Sequence, residues 1–244
     1  MIDEKLFSSL LTRVFDMNGM SGMLNIDKTR KLYLLTVRML EENEKYNLTA
    51  ITEPEKIILS HYADCASISP YLKKSASIAD IGCGAGFPTL PLAILRDDLN
   101  ITAIDSTAKR IGYVTDTCTM LGITNVTAIA MRAEDGGKNP EMRERFDYAT
   151  ARAVAGMRIL TELCLPYVKV GGQFVAMKGK NAEFELSESK KAIAVLGGSA
   201  PRLQTISLTD GTEDITHPLI IIDKKAKTPA LYPRPYAKIS KSPL

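Results

Sequence analysis

The chain has 244 residues, of which 45% are hydrophobic and 24% charged, and its formal net charge is +3. These values are typical of a globular protein with one sizeable core, or with one core and a small appendage. A membrane span is excluded, because polar residues interrupt even the most apolar region, 153–177. The small net charge does not by itself indicate a nucleic-acid partner.

The N-terminus and the cysteines indicate a cytoplasmic protein. The chain opens with acidic residues and has no long apolar block there, so no signal peptide is predicted. The cysteines show neither C-x-x-C spacing nor a nearby histidine cluster, so we expect reduced thiols and no metal site. They are Cys65, Cys83, Cys118 and Cys164.

Residues 1–75 show helical periodicity and are predicted to form a helical extension packed on the core. Two helices are expected, separated by Gly19 and Gly22. A turn is predicted at Asn47-Leu48-Thr49, and the segment 52–55 is typical of a cap followed by a proline in the first turn. The apolar faces of the two helices are marked by Leu6, Leu10 and Val14, and by Leu32, Leu35 and Met39.

From residue 76 the pattern changes to alternating strands and helices, which predicts a parallel sheet with right-handed crossovers. Gly122 is expected to end one helix, and Gly171-Gly172 to turn the chain into the fifth strand. The strands are predicted at 77–81, 101–105, 126–131, 146–150 and 173–178, and the helices at 88–96, 107–121, 155–167 and 182–196.

Three glycines at alternate positions, Gly82, Gly84 and Gly86, follow the first predicted strand. The spacing G-x-G-x-G is typical of S-adenosylmethionine (AdoMet) enzymes, whereas G-x-G-x-x-G is typical of NAD or FAD enzymes. Glycines let the backbone approach a ligand with no Cβ in the way. Ligands of open parallel sheets sit beyond the carboxyl ends of the strands, so we predict an AdoMet site at this loop.

Asp105 ends the second predicted strand, nineteen residues after Gly86. An acid at this position can accept hydrogen bonds from both ribose hydroxyls of a nucleoside. The alternative is that Asp105 caps the following helix. The acid also counts against NADP, whose extra phosphate it would repel.

The turn after the third strand, Ala133-Glu134-Asp135, is expected to lie against the adenine of the cofactor. Its backbone and side chains can meet the exocyclic amine, although an acid at a helix start explains the same pattern. Phe87 either packs on the cofactor or fills the core beneath it.

Two strand-like runs, 202–208 and 218–223, follow with a loop-like linker and no helix between them, which predicts an antiparallel hairpin. Five parallel strands and a terminal hairpin make a mostly parallel seven-stranded sheet. This is the Rossmann-like α/β plan of class I AdoMet-dependent methyltransferases. Residues 76–244 are therefore predicted to be one AdoMet-binding domain with a basic C-terminal tail.

Motifs in order along the chain beyond residue 45 resemble one bacterial family. They are similar to the small-subunit ribosomal RNA guanine-N7 methyltransferases, the glucose-inhibited division protein B family. The motifs are Asn47-Leu48-Thr49, His61-Tyr62-Ala63-Asp64, Asp80 to Pro88, Asp105-Ser106 with Lys109-Arg110, Phe146-Asp147, Thr150-Ala151-Arg152-Ala153, Pro166, Lys169 with Gly171-Gly172, Lys178-Gly179, Tyr232-Pro233-Arg234 and Lys241 to Leu244.

This resemblance implies AdoMet as methyl donor and a guanine in the 530 loop of 16S rRNA as acceptor. The partner is expected to be 16S rRNA in the small ribosomal subunit or its precursor, and the protein is expected to be a monomer. By the same resemblance, the residues that contact AdoMet are Gly82, Phe87, Ala133, Glu134 and Arg152.

Guanine N7 carries an in-plane lone pair and no proton, so no general base is expected. A donor aimed at N7 would block the attacking lone pair, so cofactor or structural duty fits Arg152 better than bidentate guanine readout. Substrate orientation is assigned to Lys178, His61 and Asp64. His61 and Asp64 could instead act together as a general base on one helix face, or form a packing contact at the opening of the cofactor site.

RNA binding requires positive charge concentrated on one face, because the net charge is small. The basic C-terminal end from Lys224 fits this, although composition alone favours a solvated tail. The candidate contacts are Arg132, Lys180, Arg234, Lys238 and Lys241.

Two other functions remain open from the sequence. One is an AdoMet-dependent methyltransferase that acts on a small molecule. The other is a non-catalytic AdoMet-binding factor in RNA or ribosome assembly. If the protein were instead an NAD enzyme, AdoMet would not displace its bound cofactor.

Overall fold

The computed structural model describes residues 3–46 and 48–244, without the side chains of 44–46, so the predicted turn residue Asn47 lies outside it. Within these residues the chain forms a seven-stranded sheet with helices on both faces. The strands are β1 Ser77–Ile81, β2 Asn100–Asp105, β3 Val126–Ala130, β4 Phe146–Arg152, β5 Val168–Met177, β6 Arg202–Thr209 and β7 Asp214–Asp223.

The strand order is β3-β2-β1-β4-β5-β7-β6, and β1 to β5 are parallel. β7 runs antiparallel to both β5 and β6. The predicted fold class is therefore confirmed. The order reverses between β1 and β4, and this switch point is where ligands of open sheets bind.

The helices connect the strands and cover both faces of the sheet. A π-helical turn, Ile58–Ala63, joins α3 to α4 without a break. The helices are α1 Glu4–Met17, α2 Ile26–Tyr46, α3 Pro54–Ile57, α4 Asp64–Ala66, α5 Thr89–Leu95, α6 Ala108–Leu121, α7 Ala133–Gly136, α8 Met157–Cys164, α9 Ala182–Val195 and α10 Tyr236–Lys241. No described helix is long and apolar enough to cross a bilayer.

One face of the sheet packs against the N-terminal helices and α5 and α6. Phe7, Leu35 and Val114 share one buried cluster with Ile78 of β1. The other face packs against α8 and α9. The prediction that Leu6 faces the core is wrong, because its side chain is 54% exposed. The buried face of α1 lies one residue further along, at Phe7, Leu10, Leu11, Val14 and Phe15.

The fifth and seventh strands begin earlier than predicted. Gly171 and Gly172 lie inside β5, not before it, because β5 pairs with β4 through an irregular register between Phe146 and Tyr148. A Cβ at Gly172 would collide with the carbonyl oxygen of Asp147, so this stretch of strand requires glycine. β7 begins at Asp214, which leaves only residues 210–213 for the turn.

Lys224 does not belong to an exposed basic tail, so that prediction is wrong. Its side chain is fully buried, and its ammonium donates to the carbonyls of Leu165 and Leu196 and to the Thr228 hydroxyl. Glu144 lies 3.6 Å away. Burial lowers the pKa of Lys224 to about 8. This lysine fixes the C-terminal segment to the core.

Candidate active site

The glycine loop leaves β1 at the switch point of the sheet. Gly82, Gly84 and Gly86 have φ of +73°, +55° and +86°, which L side chains rarely adopt. A Cβ at Gly86 would lie 2.5 Å from Leu90 Cδ1, and one at Gly82 would lie 2.7 Å from Val154 Cγ2. The alternate glycines are therefore required by the path of the backbone, and they leave bare backbone at the end of β1.

A cavity of about 240 Å3 opens beside this loop, at the carboxyl ends of β1, β2 and β3. Gly82 lines it, whereas Gly84, Gly86 and Phe87 do not. Other predicted cofactor residues come together around the same space. They are Asp105, Ala133 and Glu134, joined by Arg132 of the predicted RNA contacts.

Asp105 ties the glycine loop to the end of β2. Its Oδ2 accepts a hydrogen bond from the Gly84 N–H at 3.0 Å, and its Oδ1 accepts one from the Thr107 N–H at 2.8 Å. Arg110 Nη1 lies 3.6 Å from Oδ2. The bond to Thr107, the residue before α6, supports the helix-cap interpretation. Each oxygen keeps a second lone pair, and the carboxylate lines the cavity, so ligand binding stays open to it.

Ala133 and Glu134 begin the short helix α7. The carbonyl of Ala133 accepts a hydrogen bond from the Tyr167 hydroxyl at 2.7 Å, which fixes this turn against the core. Glu134 is half-buried and lines the cavity. The turn therefore presents an acid and fixed backbone to the space beside the glycine loop.

Arg152, at the end of β4, organises the helical segment that covers the site. Its Nη1 donates to Asp64 Oδ2 at 2.7 Å, and its Nη2 lies 2.8 Å from His61 Nδ1. A guanidinium only donates, so Nδ1 accepts and the ring proton of His61 is assigned to Nε2, 2.9 Å from Thr49 Oγ1. Burial, with a contribution from the Arg152 charge, lowers the pKa of His61 to about 4.

These contacts favour a packing role for His61 and Asp64 over a role as a general-base dyad. The Nδ1 lone pair of His61 faces the donor Arg152, so it has no free site to take a proton. The two side chains meet Arg152 from one continuous helical segment, which includes the π-helical turn. Such turns often occur at functional sites.

Phe87 lies beneath this group. Its ring is 9% exposed, its centroid is 4.6 Å from that of His61, and the Arg152 guanidinium lies 5.6 Å from it. This position matches the alternative in which Phe87 fills the core beneath the cofactor loop.

A second cavity, of about 280 Å3, lies at the ends of β4 and β5 and is bounded by β7. Asp64, Arg152, Lys178 and His217 line it, and Ala153 lines both this cavity and the first. Ala153 has φ of +55°, an uncommon conformation for alanine that often marks functional sites. His217 was not predicted as a site residue. The only indication in the sequence is that histidine is rare, with two in the chain.

Lys178 holds the loop that separates the two cavities. Its ammonium donates to the Ala155 carbonyl at 2.8 Å and pairs with Glu185 Oε2 at 2.7 Å. Glu185 Oε2 in turn accepts a hydrogen bond from the Met157 N–H at 2.9 Å. One N–H of the ammonium remains for another partner.

The predicted RNA contacts separate into two groups. Arg132, Lys180, Lys238 and Lys241 are exposed, and α10 carries the last two beside Tyr236, which lines the first cavity. Arg234 instead donates from Nη2 to Glu162 Oε2 at 2.6 Å and from Nε to Oε1 at 2.9 Å. Glu162 is fully buried, so Arg234 serves the fold.

A family model described as rRNA small subunit methyltransferase G, GidB, matches residues 28–213. The chain belongs to this family. The GidB relative from Clostridium perfringens (strain 13) is 45% identical over 240 residues, which cover 98% of this chain and 99% of the relative. The relative from Oceanobacillus iheyensis is 44% identical over 223 residues, with 91% and 93% covered. Both carry the name ribosomal RNA small subunit methyltransferase G, and the family predicted from the motifs is confirmed.

Solved structures show the fold of this GidB member independently. A SAM-dependent O-methyltransferase from Thermotoga maritima superimposes with a TM-score of 0.52 at 16% identity, over 78% of this chain and 72% of that chain. An M. jannaschii protein in complex with AdoMet gives 0.51 at 13% identity, over 66% and 73%. Among the described residues, no group of three His, Cys, Asp or Glu side chains is placed to hold a metal ion.

Proposed function

We propose that this chain transfers a methyl group from AdoMet to N7 of a guanine in the 530 loop of 16S rRNA, at position 527 of the usual numbering. The single observation that carries the proposal is a pair of cavities that are both lined by Ala153. The first lies beside the glycine loop, and the second is bounded by β7. Two adjoining spaces suit a donor and an acceptor. Family membership supports the RNA substrate.

The residues of the first cavity fit AdoMet in charge and in shape. Gly82 offers bare backbone where the amino-acid tail would lie, and Asp105 presents carboxylate oxygens toward a sugar. Glu134 can accept a hydrogen bond from the exocyclic amine of adenine. When bound, AdoMet supplies an electrophilic methyl carbon on a sulfonium sulfur.

Guanine N7 needs no general base, and the contacts of His61 and Asp64 with Arg152 fit a positioning role. His61 is neutral and its Nδ1 faces Arg152, while the Asp64 carboxylate is paired with the same arginine. The work of these residues is to hold the base in line with the methyl group and to exclude water. Arg152 orders Asp64, His61 and Phe87 and does not need to touch N7.

The exposed cations support an RNA surface around these openings. Arg132 lines the first cavity, and Lys238 and Lys241 lie on the same short helix, α10, as Tyr236, which also lines it. Lys180 follows β5 two residues after Lys178. We propose that these four residues contact phosphate, with 16S rRNA in the small subunit or its precursor as partner. A cytoplasmic monomer is the form we propose.

Labelled AdoMet distinguishes the proposed function from its competitors. We expect small ribosomal subunits incubated with the protein and methyl-labelled AdoMet to carry label in 16S rRNA. Label only in small metabolites would favour a small-molecule methyltransferase. AdoMet binding without any transfer would favour a non-catalytic assembly factor.

A further inference from the structure

We infer that the second cavity holds the target guanine and that Asp64 selects it by accepting hydrogen bonds from its Watson–Crick edge. The inference rests on the proposed function and adds a specificity-determining residue to it.

Asp64 enters the cavity with one oxygen committed and one available. Oδ2 accepts the bond from Arg152, whereas Oδ1 lies 2.9 Å from His217 Nε2 in an arrangement that is not aligned as a hydrogen bond. No other donor in the described part of the chain reaches Oδ1. The carboxylate is only 12% exposed, and what is exposed lines the cavity. A nearly buried acceptor of this kind favours a ligand that brings donors.

Guanine is the base that brings two adjacent donors, N1–H and the 2-amino group. The two lone pairs of Oδ1 can accept from both donors, whereas adenine presents an unprotonated N1 that a carboxylate repels. Asp64 therefore selects guanine through charge and hydrogen-bond direction together. His217 bounds the same cavity from the β7 side.

This orientation leaves N7 free to react. N7 lies on the edge of the purine away from N1 and the 2-amino group, so a base held at Asp64 turns N7 away from it, toward Ala153 and the first cavity. Arg152 is engaged with Asp64 and His61 and does not compete for the N7 lone pair. The remaining N–H of Lys178 is available to O6.

Inosine at the target position tests this, because it keeps N7, O6 and N1–H and lacks only the 2-amino group. Small subunits are reconstituted with guanosine or inosine at that position, and single-turnover methyl transfer is measured. Dimethyl sulfate on the free nucleosides gives the intrinsic guanosine-to-inosine ratio at N7. We expect the ratio of the wild-type protein to exceed the intrinsic ratio roughly tenfold, as for a lost hydrogen bond to a charged group.

Variants locate the effect at Asp64. Asp64→Asn places a donor beside the base, so its guanosine-to-inosine ratio should fall toward the intrinsic value. Glu134→Gln, on the cofactor side, should slow both substrates equally and keep the wild-type ratio. Each ratio compares two substrates of the same protein, so a loss of folded protein affects both rates equally and cancels. The comparison of wild type with the intrinsic ratio does not depend on any variant.

The outcomes separate this inference from the proposed function. Transfer to guanosine with a ratio no higher than the intrinsic one overturns the role of Asp64 and leaves the proposed function standing. An Asp64→Asn ratio equal to that of wild type does the same. No transfer to guanosine subunits overturns both.

Discussion

The Asp105 carboxylate accepts a hydrogen bond from the Gly84 N–H at 3.0 Å, so the end of β2 holds the middle of the glycine loop. The two residues are 21 apart in sequence; Asp105 ends β2, and Gly84 lies in the loop that follows the neighbouring parallel strand β1. This single bond joins the loop that shapes the first cavity to the acid that lines it. Both parts of the proposed AdoMet site therefore depend on one carboxylate.

Replacing this carboxylate should weaken AdoMet binding. Asp105→Asn puts an amide donor toward the Gly84 N–H or toward the ribose, and hydrogen bonds to charged groups contribute about 1.5–3 kcal/mol. We expect the Kd for AdoMet to rise by roughly 10- to 100-fold in calorimetry. Asp116→Asn, on the exposed side of α6, is the matched control and should bind as wild type does. Equal affinities for the two variants would exclude Asp105 from the site.

Two glycines separate backbone strain from ligand contact. Gly84 and Gly122 both have left-handed φ, +55° and +63°, and a Cβ at either meets no atom closer than about 4 Å. Alanine at each should cost about 1 kcal/mol of folding free energy in urea denaturation. Only Gly84→Ala should also weaken AdoMet binding, because Gly84 belongs to the glycine loop that Asp105 holds beside the first cavity, whereas Gly122 ends α6 and does not line it. If Gly122→Ala weakens binding as much, the effect comes from the fold and not from the site.

The basic C-terminal residues should have different duties. Arg234→Ala leaves Glu162 as a buried, unpaired charge, so we expect a loss of about 3–5 kcal/mol of unfolding free energy. Lys238→Ala, on exposed α10, should change stability by less than about 0.5 kcal/mol. It should reduce the salt dependence of RNA binding by about one phosphate contact.

Chemical denaturation and filter binding at several salt concentrations check these two residues together. A stable Arg234→Ala protein would show that the Glu162 pair does little for the fold. An unchanged salt slope for Lys238→Ala would remove α10 from the RNA surface.

His61 should make the protein lose stability in mild acid. Its pKa is about 4 in the folded protein, because burial and the Arg152 charge disfavour the imidazolium, and about 6.5 when unfolded. The unfolded state therefore binds the proton first, and stability is lost as pH falls from about 6.5 toward 4. Between pH 7 and 4.5 we expect His61 to account for about 2 kcal/mol.

The measurement compares urea denaturation of wild type and His61→Gln at both pH values. Asp80, whose pKa burial raises to about 6, acts in the opposite direction in both proteins and cancels in the difference. The variant should lose about 2 kcal/mol less than wild type on acidification. Equal losses would mean that His61 is free to take a proton in the folded state.

The framework was predictable because its signals are local. Strand β1 has the predicted bounds, and Gly82, Gly84 and Gly86 follow it directly, as their place in the sequence indicates. On the first helix, Leu6 was predicted to be buried, but the buried residue is its neighbour Phe7. Both are large apolar residues, so the sequence pattern does not show which of the two faces the core. Gly171 was assigned to a turn because glycine is typical both of turns and of irregular positions within strands.

The contacts that complete the candidate site were not predictable, since they join distant parts of the chain. Arg152 meets Asp64 across 88 residues, and Arg234 meets Glu162 across 72. No spacing rule indicates which surface cation will find a buried partner. The roles of the individual site residues stay predictions, although the fold brings most of them to the same edge of the sheet.

The most direct test of the account maps the methyl group itself. Small subunits from a strain that lacks this protein are incubated with it and AdoMet, and 16S rRNA is then cleaved chemically at 7-methylguanine. We expect cleavage at a single guanine of the 530 loop that appears only with the active protein. Methylation elsewhere, at another atom, or not at all would contradict it.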